Sequence, residues 1–411
     1  MTFSDAPASP RLSKKLLLTM AFSAGMTVAN LYYSQPLLAD ISRSFGVSPD
    51  AAGLISTCTQ IGYALGMLLF VPLGDIKERR MLITTLLALV SLSLIGVATA
   101  QSLAWIYAAS FAVGMTTIVP QIMIPLSAEL ASPEERGKAI GTVSSGLLLG
   151  ILSARTVSGL IGGTWGWRIM FWIAAAAMLA LLILLRSLLP KSRPVSQLRY
   201  GQLLRSLGTL VRKYSTLRES ALIGAANFIG FSAFWTTLSF YLEGEPYHYS
   251  SQIAGLFGLI GVAGAAGAPL IGRMVDRVSP KRMIGGLTVL SLLSYLGFGL
   301  MGTSLWVLFV GIILMDLGVQ GTQVSNQTRI YALEPTARSR LNTVQMVTTF
   351  LGGAIGSSLG SFAWKEWGWT GVCLTGGSAI VLTLLIWLVH RKPSAVRSVQ
   401  AGNDAAGSEA V

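Results

Sequence analysis

A chain of 411 residues is long enough for several soluble domains, yet only 11% of its residues are charged and its mean hydropathy is +0.64. About a quarter of an average soluble protein is charged, so a string of ordinary soluble domains is excluded; apolar runs long enough to cross a bilayer recur from end to end. The net charge of +13 does not point to nucleic acid, because the basic residues lie between the apolar runs instead of on one face of a domain.

A tail over 1–15 carries Arg11, Lys14 and Lys15, as a signal peptide would. The run that follows holds Asn30, Tyr32, Tyr33 and Gln35 and is too long for the apolar core of a cleaved leader, so it is expected to remain as a membrane helix. Further spans are expected near 51–73, 81–100, 102–130, 138–162 and 168–189, which with 16–39 make an N-terminal bundle over 16–190. The segment 191–219 places Leu203, Leu207, Leu210 and Tyr214 at helical spacing among Arg205, Arg212, Lys213 and Arg218. It reads as a linker helix, either lying on a negatively charged leaflet or solvated. Spans near 220–242, 252–273, 282–301, 305–331, 340–363 and 369–390 make a second bundle over 220–392, and the small polar tail 393–411 is expected to be disordered. The fold class expected is an all-α membrane protein of twelve spans.

Twelve spans place both termini on one side, and 26 of the 30 Lys and Arg fall on that side. Only Arg43, Arg168 and Lys365 fall opposite, with Arg155 inside a span. The positive-inside rule then assigns both termini to the cytoplasm of a bacterial plasma membrane.

The two bundles are related. Ala52-Gly53-Leu54 matches Ala254-Gly255-Leu256 at an offset of 202 residues, and Asp75 matches Asp276 at 201. Pro133 and Arg136 match Pro335 and Arg338, and Trp165-Gly166-Trp167 matches Trp367-Gly368-Trp369, both at 202. With an even number of spans in each half the repeat is parallel, a plan that holds solute near mid-membrane between the halves.

The matched loops read VPLGDIKERR over 71–80 and GRMVDRVSPKR over 272–282. Both resemble the loop signature of the major facilitator superfamily, and VANLYYSQPLL and VSNQTRIYALEPTARSRLNTVQM look like its twelve-helix sugar- and drug-efflux branch. The first loop keeps Leu73, Gly74, Asp75, Arg79 and Arg80; the second keeps Gly272, Asp276, Arg277 and Lys281. The resemblance implies the major facilitator fold and a gate on the side of the termini. Asp75 would face the start of the eleventh span and Asp276 the start of the fifth, with Arg79, Arg80, Glu129, Arg136 and Arg338 completing the charge cluster. In the fifth span Gly137, Gly146 and Gly150 match the antiporter spacing, but Ile151 stands at the proline position and Ala154-Arg155 at the final glycine pair. Antiport and import therefore both stay open.

Two charges lie within spans, where each costs roughly 3 kcal/mol or more and needs a reason. Arg155 is seven residues and Asp316 eleven residues from the end of their spans opposite the termini, about 10 and 16 Å deep. They belong to opposite halves and are expected to pair or to flank one cavity. Asp316 is the candidate for binding a proton or a cationic group, and Arg155 for tuning it or holding an anionic group. Asn30, Tyr32, Tyr33, Gln35, Gln121, Asn227, Phe231, Trp235, Gln320, Gln323 and Asn326 fall on the spans that line the cavity in the superfamily. Amides that orient a ligand and aromatics that supply contact area suggest an amphipathic or polyol-like solute. Glu243, Glu245 and His248 read as a solvated loop.

Cys58 and Cys373 lie in apolar runs without metal-ligand spacing and read as packing residues. Catalytic carboxylate pairs, nucleophile motifs and a phosphate-binding loop are all missing from the sequence. The chain is therefore expected to be no enzyme and to need neither cofactor nor metal, with a small solute, protons and the lipid bilayer as its partners and a monomer as its unit. Export of a small organic solute against proton entry is the first reading; proton-coupled import and a non-transporting membrane sensor are the alternatives.

Overall fold

The computed structural model describes residues 12–132, 135–191, 199–265, 278–334 and 337–390, and is helical through most of them. α1 (Lys14–Ala29) opens on Ser13, whose hydroxyl accepts the Leu16 amide at 3.1 Å and so satisfies a donor that the first turn leaves orphaned. The first span then breaks. A turn after Ala29 leads into a 3₁₀ segment, Gln35–Leu37, with Pro36 at its start, and on into α2 (Leu38–Phe45), which Gly46 ends at φ +63°. The left-handed conformation is one that glycine adopts without steric penalty.

The remaining helices of the first half are α3 (Pro49–Phe70), α4 (Leu73–Ile76), α5 (Arg79–Ala98), α6 (Leu103–Thr116), α7 (Val119–Leu130), α8 (Arg136–Trp165) and α9 (Trp167–Leu188). After α10 (Tyr200–Lys213) come α11 (Ser215–Glu243), α12 (Ser251–Ala265), α13 (Pro280–Met301), α14 (Leu305–Tyr331) and α15 (Arg338–Val389). Among the described residues nine helices are long and apolar enough to cross a membrane. The expected count of twelve differs from this by three: α1 has 16 residues before its break, α12 is described only to Ala265, and α15, Arg338–Val389, contains both of the last expected spans, divided by the non-helical backbone of Gly368. Inside α15, Gly368 stands at φ +59°, while Gly166 stands at φ +92° between α8 and α9. The two Trp-Gly-Trp copies thus place a positive-φ glycine at matched turns of the two halves.

One apolar core is built mainly from Met20 to Leu189 and takes in Phe240 and Phe350 of the second half, while a second core runs from Phe231 to Ile380; each half buries an interior, and the first extends across the interface. The halves meet where α3 packs on α15 and where α8 packs on α12. Small residues let these backbones close up: a Cβ added at Gly159 would come within 2.6 Å of Gly255 Cα, and one at Gly53 within 1.9 Å of Ser361 Oγ. Gly146 and Gly150, from the antiporter spacing, pack instead on Ala21 and Gly25 of α1.

α10 buries Leu203, Leu207 and Leu210 and touches both halves. Tyr200 donates to the Leu69 carbonyl at 2.8 Å. Tyr214 donates to Glu334 at 2.7 Å and Lys213 pairs with the same carboxylate at 3.2 Å; these two donors hold Glu334 below its ordinary value of 4.5.

Candidate solute cavity between the halves

A cavity enclosing about 600 Å³ of space, part of it open to solvent, lies between Tyr32, in the turn after α1, and Ile151 of α8 in one half and α11, α14 and α15 of the other. Five of the residues that the sequence nominated line it: Tyr32, Asn227, Phe231, Gln320 and Gln323. Phe228, Thr322, Met346, Thr349 and Phe350 line it as well and were not nominated. For Phe228 a helical stripe was the signal, since Gly224, Asn227, Phe228 and Phe231 recur at three and four residues along α11. The rings form a cluster: Phe228 stacks on Phe231 at 5.1 Å and meets Phe350 edge-on at 5.3 Å between centroids.

Arg155 sits beside this cavity, 2% exposed. Its Nε donates to Gln35 Oε1 at 2.7 Å, and its Cζ lies 4.0 Å from the Trp235 ring centroid, 4.9 Å from that of Tyr32 and 5.6 Å from that of Phe231. Ring faces attract a cation electrostatically, and desolvated examples contribute about 2 kcal/mol. Tyr32 and Phe231 line the cavity and also lie under the guanidinium.

Asp316, also 2% exposed, approaches from the other half. It and Arg155 attract one another across the interface but make no direct ion pair, so they flank one site instead of closing on each other. The Trp235 indole leans toward the carboxylate, yet Trp235 Nε1, Asp316 Oδ2 and Arg155 Nη2 are all buried without a completed hydrogen bond. A Cβ at Gly261 would come 2.7 Å from Asp316 Oδ2, so the absence of a side chain there makes room for the carboxylate. Two opposite charges and an indole N–H with free hydrogen-bonding capacity can receive a proton or a polar group of a solute.

The other nominated residues lie elsewhere. Asn30 donates to Met178 Sδ at 3.3 Å and Gln121 to Tyr63 Oη at 3.2 Å, both ties between helices of one half. Tyr33 is buried, and its carbonyl accepts the Ser158 hydroxyl. Asn326 is fully buried on α14, one turn beyond Thr322. A polar knot that sequence reading missed ties the halves together: Gln60 donates to Ser357 at 2.7 Å and accepts from Ser232 at 3.3 Å, and Thr236 meets Ser357 at 2.9 Å.

On the face of the termini, Arg79 is buried, donates to the Gly74 carbonyl at 2.9 Å, pairs with Glu129 and lies 3.7 Å from Asp75. Arg340, near the start of α15, also bears on Asp75 from the other half. Arg80 is half-buried and Arg136 exposed; Arg338 donates to the Tyr331 carbonyl at 3.2 Å, and Lys281 to that of His390. Gly272, Asp276 and Arg277 lie outside the described residues.

On the opposite face, Arg43 pairs with Asp40 and with Glu243, and Ser251 donates to both carboxylates. The reading of Glu243 as part of a solvated loop is corrected: it ends α11, and its side chain is 14% exposed and engaged by Arg43 and Ser251. Glu245 and His248 are exposed.

The chain matches the Major Facilitator Superfamily over residues 17–268 and 220–408. It is 43% identical over 386 residues to the uncharacterized transporter YgaY of Escherichia coli O157:H7, covering 93% of this chain and 98% of that protein. It is 26% identical over 378 residues to a probable sugar efflux transporter of Pasteurella multocida, with 91% of each chain covered. The crystal structure of the human organic anion transporter MFSD10 superposes with a TM-score of 0.71 at 17% identity, covering 93% of this chain and 100% of that one. The chain belongs to the Major Facilitator Superfamily: it is a multi-pass membrane transporter with that fold, and not an enzyme.

Proposed function

We propose that this superfamily member exports a small amphipathic or polyol-like organic solute by alternating access, driven by proton entry, as a monomer in a bacterial plasma membrane with both termini cytoplasmic. The observation that carries the reading is the pair of buried, incompletely bonded charges, Arg155 and Asp316, set beside a cavity between the halves. Asp316 takes the proton, and Arg155 with its aromatic neighbours orients the solute. Protonation removes the attraction that Asp316 exerts on Arg155, so occupancy of the proton site and the hold between the halves become linked quantities. The bias of Lys and Arg toward the termini supports the orientation, and the name of the Pasteurella relative supports efflux.

Proton-coupled import remains the second reading, favoured by Ile151 at the proline position of the antiporter spacing. The deciding experiment is flux in proteoliposomes under an imposed pH gradient, with labelled sugars and cationic amphiphilic drugs as probes. Accumulation against the proton flow supports export, and accumulation along it supports import. Flux that ignores the gradient removes proton coupling from either reading.

A further inference from the structure

Below the aromatic cavity, toward the face of the termini, three helices of the second half continue their cavity-facing stripes as polar ones. On α14, Thr322 lines the cavity, Asn326 follows one turn on, and Arg329 another turn beyond. On α15, Thr349 lines the cavity and Gln345 precedes it by one turn. On α11, Gly224 lines it, with Ser220 and Glu219 beyond.

These side chains share one region. A Cβ at Gly224 would lie 2.7 Å from Thr349 Oγ1 and 4.0 Å from Gln345 Nε2. Gln323 reaches Met346 Sδ at 3.3 Å and Gln327 reaches Asn342 at 3.4 Å, so α14 and α15 are tied on either side of the level of Asn326 and Gln345. Arg329 pairs with Glu219 at 2.7 Å, tying α14 to α11 at the far end. Beyond that pair Leu217, Ile330, Leu341 and Leu210 close the region with an apolar plug.

Seven polar side chains here keep buried atoms unmatched. Asn326 and Gln345 are fully buried, and neither amide has a hydrogen-bond partner on its oxygen or its nitrogen. Thr322 Oγ1, Thr349 Oγ1, Ser220 Oγ, Glu219 Oε1 and Arg329 Nη1 are unpartnered too. Native interiors leave only a few such groups unmatched per hundred residues, whereas here several cluster in one region, and leucine would fill the same space without the desolvation penalty. A run of them leading out of a cavity is what a site for an outside hydrogen-bonding group requires.

We propose that this polar shaft, packed shut in this conformation, opens during alternating access as a second subsite, which takes the uncharged, multiply hydrogen-bonding head of the solute while the aromatic cavity holds its apolar body. The proposal rests on the transport reading above and narrows its substrate class. The amides and hydroxyls offer donors and acceptors together, matching hydroxyl- or carboxamide-bearing heads. A charged head is disfavoured, because Glu219 and Arg329, the charges in the shaft, already neutralise each other.

The test is equilibrium binding to the full chain in nanodiscs, without any gradient, by titration calorimetry. Three probes share one aromatic body: 4-nitrophenyl glucoside, 4-nitrophenyl phosphate and 4-nitrobenzyltrimethylammonium. The glucoside is expected to bind tightest. Gln345→Leu and Asn326→Leu should each weaken it by about tenfold, because a buried head group loses its partner, while leaving the thermal midpoint unchanged or raised. Equal affinity for all three heads, or leucine variants that bind the glucoside within twofold of the parent, would overturn the proposal. So would leucine variants whose affinity and thermal midpoint fall together, with Gln345→Asn failing to restore either, since the amides would then serve folding alone. Glucoside binding without gradient-driven flux would leave this subsite standing and remove the coupling reading; gradient-driven flux of another probe without glucoside binding would do the reverse.

Discussion

Arg43, on the short helix that ends the first span, and Glu243, at the end of α11, form an ion pair across the two halves on the face opposite the termini. Arg43 also holds Asp40 of its own half, and Ser251 at the start of α12 donates to both carboxylates. This face is latched by charge where α8 and α12 already meet through glycine. The pair is partly screened, since the Arg43 side chain is 62% exposed, and partly exposed pairs contribute at most about 1 kcal/mol, a factor of about five in a two-state equilibrium. Glu243→Gln is therefore expected to favour opening of this face by up to that factor. The reporter is Thr156→Cys, a site buried at the α8–α12 contact, with Cys58 and Cys373 changed to serine. Labelling by a membrane-impermeant maleimide should quicken, and an unchanged rate would show that the pair does not hold the face closed.

Asp316→Asn removes the titratable group and keeps its shape. Gradient-driven accumulation is expected to fall by more than about tenfold, whereas solute exchange at equal pH, which needs no net proton movement, should persist. The proton role of Asp316 is refuted by an asparagine variant that still accumulates solute under a pH gradient at the parental rate.

Much of this architecture was legible in the sequence because a bilayer imposes coarse rules. Spans follow from apolar run length, and the repeat follows from landmarks such as the two Trp-Gly-Trp copies, whose glycines both take positive φ. Tyr32, Asn227, Phe231, Gln320 and Gln323 were readable as cavity candidates because the resemblance names the spans that line the cavity, and amides within a span need a reason. Pairing was not readable. Arg155 meets Gln35, 120 residues away, and no local pattern encodes that contact. Glu243 read as solvated because its partner, Arg43, lies in the other half. Thr322, Gln345 and Thr349 escaped notice because a single hydroxyl or amide in a span is as consistent with helix contacts as with a ligand.

Arg155 offers a test of planarity as against charge. Lysine keeps the charge but has neither the flat guanidinium that stacks at 4.0 Å on Trp235 nor its fixed fork of donors. Arg155→Lys should therefore lose the stacking contribution, up to about 2 kcal/mol of fold stability, and should also weaken solute binding, because the aromatic wall beside the cavity loses the group that holds it. Arg155→Leu leaves Asp316 buried without its countercharge and should destabilise the fold by about 1–3 kcal/mol, less than breaking a closed ion pair, because Asp316 can take up a proton. Adding Asp316→Leu should restore most of that stability without restoring transport. Thermal unfolding in detergent reads the stabilities and calorimetry reads the affinities; a lysine variant with parental affinity would mean that charge alone matters.

The contact between Gly159 and Gly255 sets how closely α8 and α12 approach, and two glycines on α8 separate packing from propensity. At Gly141 an added Cβ meets nothing within 4 Å, so alanine there only removes backbone freedom from a helix and should stabilise by about 0.5–1 kcal/mol. At Gly159 the same methyl would lie 2.6 Å from Gly255 Cα and 2.7 Å from the Ser251 carbonyl oxygen, backbone atoms that cannot swing aside. Gly159→Ala must push the two halves apart at the latch face, and its cost should exceed the propensity gain by about 1–3 kcal/mol. The same one-carbon change is thus expected to raise the thermal midpoint at Gly141 and lower it, with loss of flux, at Gly159. If both variants shift the midpoint in the same direction, the close approach of the halves at Gly159 does not govern stability.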